Sequence, residues 1–380
     1  MEKLNSPLEF KEQIKKLISE KNWDATTNIS KRAVEAFPKK LNFKKYLIKS
    51  LDCQGKYDEA LIWAEKAAIQ EIKRLKARKN PLENFKKSLK RHQRIMIAGY
   101  FYSGSGAISD YLKGFAKTKK WTPYGEMRLI KTPGGIWDYK EKFFKKDSKE
   151  AILNLYLTIV GIKETRSTIW NKSNRSSRKI LSDLNNAEYV IALLKFWLNE
   201  KNMPSKDEIS FYQRSSRALK KAYNKTCQIY DADRIVVDQS VNAFRLNLSK
   251  VLPPSTFIVV DRDPRDQFLE ARLGWAKLGK KKWQSVEEFV SEYKIIRSQS
   301  YEWAASLSKE YGHKFYFYKF EEFVYNHKEI SNRLKLDLKL NGDSKSYDPE
   351  LSKINIHKYK DQLTTWETFV IEEELKEFLY

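Results

Sequence analysis

A small all-α module followed by an α/β domain with a mostly parallel sheet is the architecture this sequence predicts, and three observations carry it. Before about residue 90 the apolar residues recur with helical spacing and no strand-like run appears. From residue 93 onward, short β-prone runs alternate with longer helical patterns. The runs are IMIAGYF (95–101), RIVVD (234–238), TFIVVDRD (256–263) and KFYFYKF (314–320), and EYVIALLKFWL (188–198) is one of the helical stretches. Short strands spaced by helices need crossover connections, which produce parallel sheets with flanking helices. Third, a Gly/Ser-rich turn follows the first strand directly and leads into an amphipathic stretch, ISDYLKGF.

The 380 residues suffice for such a two-part chain, and 41% hydrophobic with 13% aromatic content supplies a folded core. The formal charge of +24 points to an acidic partner: a nucleotide, a nucleic acid, an anionic glycan or a lipid surface. Codon bias toward Lys, Asn and Ile gives the same charge, so charge alone selects none of them. Cys53 and Cys227 are the only cysteines, which excludes a disulfide framework and the usual zinc spacings. The start, MEKLNSPLEFKEQIKKL, lacks the apolar stretch of a signal peptide, and no apolar run approaches the roughly 20 residues that span a bilayer. The expectation is a cytoplasmic protein, with peripheral membrane contact left open.

In residues 1–70, KNWDATTNISKRA (21–33) aligns with GKYDEALIWAEKA (55–67), placing Trp23 on Tyr57, Asp24 on Asp58 and Ala33 on Ala67 at an offset of 34. This spacing resembles a tetratricopeptide repeat. The resemblance implies close helix packing at Gly55, Ala60 and Ala67, a helix end at Pro38, and a module that docks a protein partner or the acceptor. Thr26 replaces an expected alanine, and Ile72 stands where a second proline would fall. A chance helical hairpin shares these features. Residues 71–92 form a basic connector broken near Pro81, either a solvated face or a surface for an anionic membrane or glycan.

Residues 93–380 form the α/β domain. Its strand–SGSGA–helix loop is the layout that turns backbone N–H groups and a helix dipole toward an anion. It does not match GxxxxGK[ST], so the lysine and magnesium ligand of an NTP hydrolase are missing. RDPRD (262–266) then follows the strand TFIVV, at the carboxyl end where open α/β sheets bind ligands. Guanidinium groups there suit a ligand with phosphates at both ends. A tight structural turn and a self-satisfied salt-bridge cluster are the plainer readings of these two segments.

Taken together, the two segments resemble the sulfotransferases that use 3′-phosphoadenosine-5′-phosphosulfate (PAPS), a P-loop NTPase-like fold. YKFEEF (318–323) is similar to that family's late Tyr-Glu-Asp-Leu type motif, and INIHKYKDQL (354–363) to its C-terminal Asn-Ile-Gly-x-Trp segment. The resemblance implies that Tyr102, Ser103, Gly104, Ser105, Gly106 and Ala107 hold the 5′-phosphosulfate. It also implies that Arg262 holds the 3′-phosphate with help from Arg265, that 3′,5′-adenosine bisphosphate (PAP) is the product, and that no metal takes part. Two departures stand out: Tyr102 occupies the place of the usual Lys or Arg, for which Arg128 or Lys131 is the expected substitute, and Glu270 occupies the place of a serine, for which Arg265 or Arg272 is.

Sulfonate transfer needs a base for the acceptor proton. No histidine lies between the loop and RDPRD, so the candidates are carboxylates. Glu126, in the Gly/Pro/aromatic segment WTPYGEMRLIKTPGG, is the first choice, and in the glycan-modifying branch a glutamate at this distance serves as base. Asp238, at the end of RIVVD, is the reserve. ETRSTIWNKSNRSSRK (164–179), with Trp170, is either an acceptor loop or a plain surface segment. The expected activity is transfer of a sulfonate to a hydroxyl or amine of a carbohydrate, polysaccharide or glycolipid. A small-molecule P-loop kinase and a catalytically inactive scaffold share the same loop. No nucleic-acid reader motif is present.

Overall fold

A computed structural model describes residues 6–77, 92–121, 129–131, 133–145, 148–161, 187–277, 279 and 281–380. Four helices open the chain: α1 (Pro7–Ser19), α2 (Trp23–Ala36), α3 (Leu41–Cys53) and α4 (Tyr57–Ala77). Then come β1 (Gln93–Gly99), α5 (Ser105–Lys113) and β2 (Thr118–Lys120). Helices α6 (Ile136–Phe143), α7 (Ser148–Ile159), α8 (Ala187–Asn202) and α9 (Glu208–Ile229) precede β3 (Arg234–Asp238). A 3₁₀ segment (Ala243–Val251), β4 (Thr256–Asp261), α10 (Pro264–Ala276), α11 (Val286–Tyr311) and β5 (Lys314–Lys319) follow. The chain closes with α12 (Phe320–Tyr325), α13 (His327–Leu338), α14 (Glu350–Lys353) and α15 (Thr365–Glu374).

These elements group into two compact units, Met1–Lys86 with Lys131–Thr226, and Lys87–Ile130 with Cys227–Tyr380. The boundary drawn from the sequence, a helical module at 1–70 and one domain at 93–380, is therefore redrawn: 131–226 groups with the N-terminal helices. Side chains on α4 account for this. Asp58 pairs with Lys149 of α7 at 2.7 Å and Glu65 with Lys201 of α8 at 2.8 Å, while Trp197 of α8 donates its indole N–H to the Ile152 carbonyl of α7 at 2.7 Å.

Within the helical unit the 34-residue period is visible in the backbone, since α1 and α3 start 34 residues apart (41 − 7), as do α2 and α4 (57 − 23). Ala33, Ala60 and Ala67 are fully buried, as close helix packing requires, whereas Gly55 is exposed in the turn before α4, at φ +69° and with open space around it, so it serves the turn and not a helix contact. Thr26 fits the same environment because its hydroxyl donates to the Asn22 carbonyl at 2.6 Å. Pro38 follows two residues after α2 ends, whereas Ile72 lets α4 run on to Ala77, so α4 has 21 residues against 14 in α2. The basic stretch read as a connector from 71 thus begins inside α4, and residues 78–91 lie outside the described residues.

The sheet unit is built on five parallel strands in the order β2-β3-β1-β4-β5. Ile95, Ile97, Val236, Ile258 and Val260 turn one face toward Ile108 and Leu112 of α5, Phe323 of α12 and Leu334 of α13. On the other side Tyr100, just past β1, bonds through its phenol to Ser300 of α11. Because every strand points the same way, Gly99, Lys120, Asp238, Asp261 and Lys319 all mark one carboxyl edge.

Candidate anion site at the carboxyl edge of the sheet

The turn after β1 is held in a conformation that serine and glycine make accessible. Gly104 has φ +74°, and a Cβ there would overlap the Phe320 ring at the start of α12, so glycine is required twice over. Ser103 is buried and its hydroxyl has no hydrogen-bond partner among the described residues. Helix α5 starts at Ser105 without a side-chain cap, which leaves its first amides facing the turn. Gln239, the residue after β3, braces this arrangement from the neighbouring strand. Its amide donates to the Ser105 hydroxyl at 2.6 Å, its backbone N–H to the Ile97 carbonyl at 2.9 Å, and its side-chain carbonyl accepts from Asn242 at 3.0 Å.

RDPRD makes the second wall. Asp263 caps α10 by accepting from the Arg265 N–H at 2.9 Å, and Pro264 occupies the first turn, where its missing donor costs nothing. Arg262 is buried beneath the turn, over the face of Phe320 at 5.5 Å. It donates to the Tyr102 carbonyl at 3.0 Å and to the Asn355 carbonyl, and lies 3.6 Å from Asp266, while its Nε has no partner among the described residues. Asp266 in turn accepts from the backbone N–H groups of His357 at 2.7 Å and Tyr359 at 3.0 Å. Burial raises its carboxyl above the usual range, and the Arg262 charge opposes that rise.

The third wall is the YKFEEF segment. Glu321 is buried, accepts from the Asp263 N–H at 3.0 Å through one oxygen, and keeps the other without a partner among the described residues. Burial, the largest cause, pushes its carboxyl up to about 7, against the pull of backbone N–H groups and Arg262. A carboxyl near 7 is largely uncharged in mildly acidic solution, so this wall repels an anion less than an ordinary glutamate would.

The structure thus brings together Ser103, Gly104, Ser105, Arg262 and, through the adjacent Gln239, Asp238. It gives other placements to several residues singled out from sequence. Tyr102 (φ +47°) turns its ring against Gly274 of α10, where a Cβ would collide with the phenol, so this side chain faces away from the turn. Arg265 is bound to Asp263 at 2.6 Å and to Glu372, and Arg272 to Glu367 at 2.6 Å, so both expected substitutes at the Glu270 position are held by acids. Glu270 itself pairs with Lys358 at 2.8 Å. Lys131 falls in the helical unit. Glu126, Arg128 and the segment 164–179 with Trp170 lie outside the described residues.

Sequence reasoning passed over Gln239, Lys120 and the buried state of Glu321. Lys120, at the end of β2, reaches within 3.5 Å of the Asp238 carboxylate. Its signal was hidden in KTKKW, a stretch too polar to read as a strand.

Among the described residues no group of three or more His, Cys, Asp or Glu side chains is placed to hold a metal, and no helix is long and apolar enough to cross a membrane. No protein-family model matches the sequence, and no curated protein matches it.

Proposed function

We propose that the protein is a sulfotransferase that moves a sulfonate from PAPS to a hydroxyl or amine of a carbohydrate or glycolipid acceptor. One observation carries this reading: four segments chosen from sequence, between Ser103 and Tyr359, interlock by direct contacts at one edge of a parallel sheet. Phe320 packs on Gly104, Glu321 bonds to Asp263, Arg262 bonds to the Tyr102 and Asn355 carbonyls, and Asp266 holds the His357 and Tyr359 amides. Among the described residues the buried Ser103 hydroxyl and Arg262 Nε lack partners, so two donors are left for an anionic ligand.

In this reading the donor supplies an activated sulfonate on a phosphate leaving group. The first amides of α5, with Ser103 and Ser105, hold the phosphosulfate end in place of water, and Arg262 takes the distant phosphate. Gln239 fixes the Ser105 hydroxyl and thereby the start of α5. Asp238, at the carboxyl end of the adjoining strand, takes the acceptor proton. The absent Gly-Lys-Ser/Thr favours this chemistry over a magnesium-dependent kinase. The test is equilibrium binding of PAP to the wild type and to Arg262→Ala: the variant loses at least about a hundredfold in affinity, as removal of a buried charged contact does. Unchanged affinity overturns the assignment.

A further inference from the structure

Resting on that reading, we propose that Lys120 is the cation that contacts the transferring sulfonate, and that Asp238 holds it there until the donor binds. The residue before the loop serine is Tyr102, whose ring is turned onto Gly274, so the turn itself offers no cation. Most bases described around it are committed. Arg262 is bonded to two carbonyls, Arg265 to Asp263 and Glu372, and Arg272 to Glu367. Lys358 is bonded to Glu270 and Lys282 to Glu292, each at 2.8 Å.

Lys120 differs from these. Its side chain is only 17% exposed, and its contact with the Asp238 carboxylate, whose side chain is 11% exposed, is 3.5 Å long. A formed ammonium–carboxylate hydrogen bond is about 2.7–2.9 Å, so the half-buried ammonium is held only loosely by that carboxylate. A lysine in this state gains from an anion that comes within reach.

The sheet places it within that reach. Side chains alternate along a strand, and Lys119 lies on the Tyr230 ring at 4.0 Å, so Lys120 projects to the opposite face. β2 is separated from β1 only by β3, about 10 Å at the usual strand spacing; Lys120 pairs with Val236 and so stands level with Ile95, four residues before Gly99, and its four-carbon stem covers part of that offset by reaching Asp238, which is level with Ile97. The next residue on β3, Gln239, touches Ser105 of the turn. Lys120 and Asp238 therefore stand at the acceptor side of the turn, with the positive charge beside the group to be transferred and the carboxylate beyond it.

The test compares two ligands that differ only in the sulfonate: PAPS without acceptor, and PAP, titrated into the full chain by calorimetry. Lys120→Gln weakens PAPS binding about tenfold while changing PAP binding less than about threefold, which is the effect of deleting one charge-assisted hydrogen bond. Asp238→Asn releases the ammonium and raises the preference for PAPS over PAP, an outcome a purely structural ion pair would not give. Lys120→Arg, which keeps the charge, retains the wild-type ratio and guards against misfolding of the glutamine variant. If Lys120→Gln leaves the ratio unchanged while both ligands still bind, the role of Lys120 is refuted and the nucleotide site stands. If the wild type binds neither ligand, the functional reading fails and this proposal with it.

Discussion

In the helical unit Glu200 is fully buried and accepts four bonds, from the Ser205 N–H and hydroxyl, Arg214 and the Tyr139 phenol. At the carboxyl edge of the sheet unit Arg262 and Glu321 are nearly as deeply buried, yet each keeps one polar atom without a partner among the described residues. A buried polar atom left unpaired costs about 1–3 kcal/mol, and the sheet unit bears that cost where its loop, its RDPRD segment and its late strand meet. On the proposed reading, the difference separates a charge that organises a core from polar groups left for a ligand.

The largest expected effect is on Arg262. Arg262→Ala removes the side chain that joins the turn, α10 and the segment around Asn355, and leaves the buried Asp266 with its two backbone N–H donors but without the opposing charge. The expected loss of stability is about 3–5 kcal/mol, measured by denaturant unfolding of the variant, alongside the loss of nucleotide binding. If stability is unchanged, Arg262 is not the keystone described.

Glu321 sharpens the comparison through pH. Its carboxyl titrates near 7 when folded, against 4.5 for an ordinary glutamate, so the folded state holds a proton the unfolded chain has lost. Stability attributable to this group therefore falls as pH rises from about 4.5 to about 7, by about 3 kcal/mol in total, and stays low above that. Glu321→Gln, which stays neutral, is more stable than the wild type above pH 7 by up to that amount and indistinguishable from it below pH 4.5. Melting curves across this range would show it; equal pH dependence in both proteins contradicts the assignment of the proton to Glu321.

Glu200→Ala tests the other side. It strips partners from Ser205 and from a partly exposed Arg214, so a loss of about 2 kcal/mol is expected, with PAP affinity unchanged. A matching loss of nucleotide binding would break the division of roles between the two units. Gly104→Ala is the smallest change. It meets both the positive φ and the Phe320 ring, costing about 1–2 kcal/mol and displacing the turn, which calorimetry with PAP reads as weakened binding.

Much of this was legible in the sequence. RIVVD coincides with β3 and TFIVVD with β4, because buried parallel strands carry uninterrupted β-branched runs. The period of 34 read from Trp23 and Tyr57 is the spacing of the helix starts. β2 escaped notice because a three-residue edge strand, TKK, needs no hydrophobic run. The return of 131–226 to the N-terminal helices also escaped, since it rests on contacts such as Glu65 with Lys201 that no local pattern announces. The loop and RDPRD were readable as motifs, but the Gln239 brace depends on a bond to Ser105 across 134 residues, and the burial of Glu321 on contacts across 58.

On the proposed reading the turn and Arg262 together hold a nucleotide bearing phosphates at both ends. Calorimetric titration of the full chain with 3′,5′-adenosine bisphosphate, set against ATP with magnesium, tests it most directly. Tight binding of the bisphosphate without magnesium, and weak or no binding of ATP, are expected. Binding of magnesium-ATP in preference to the bisphosphate would contradict it.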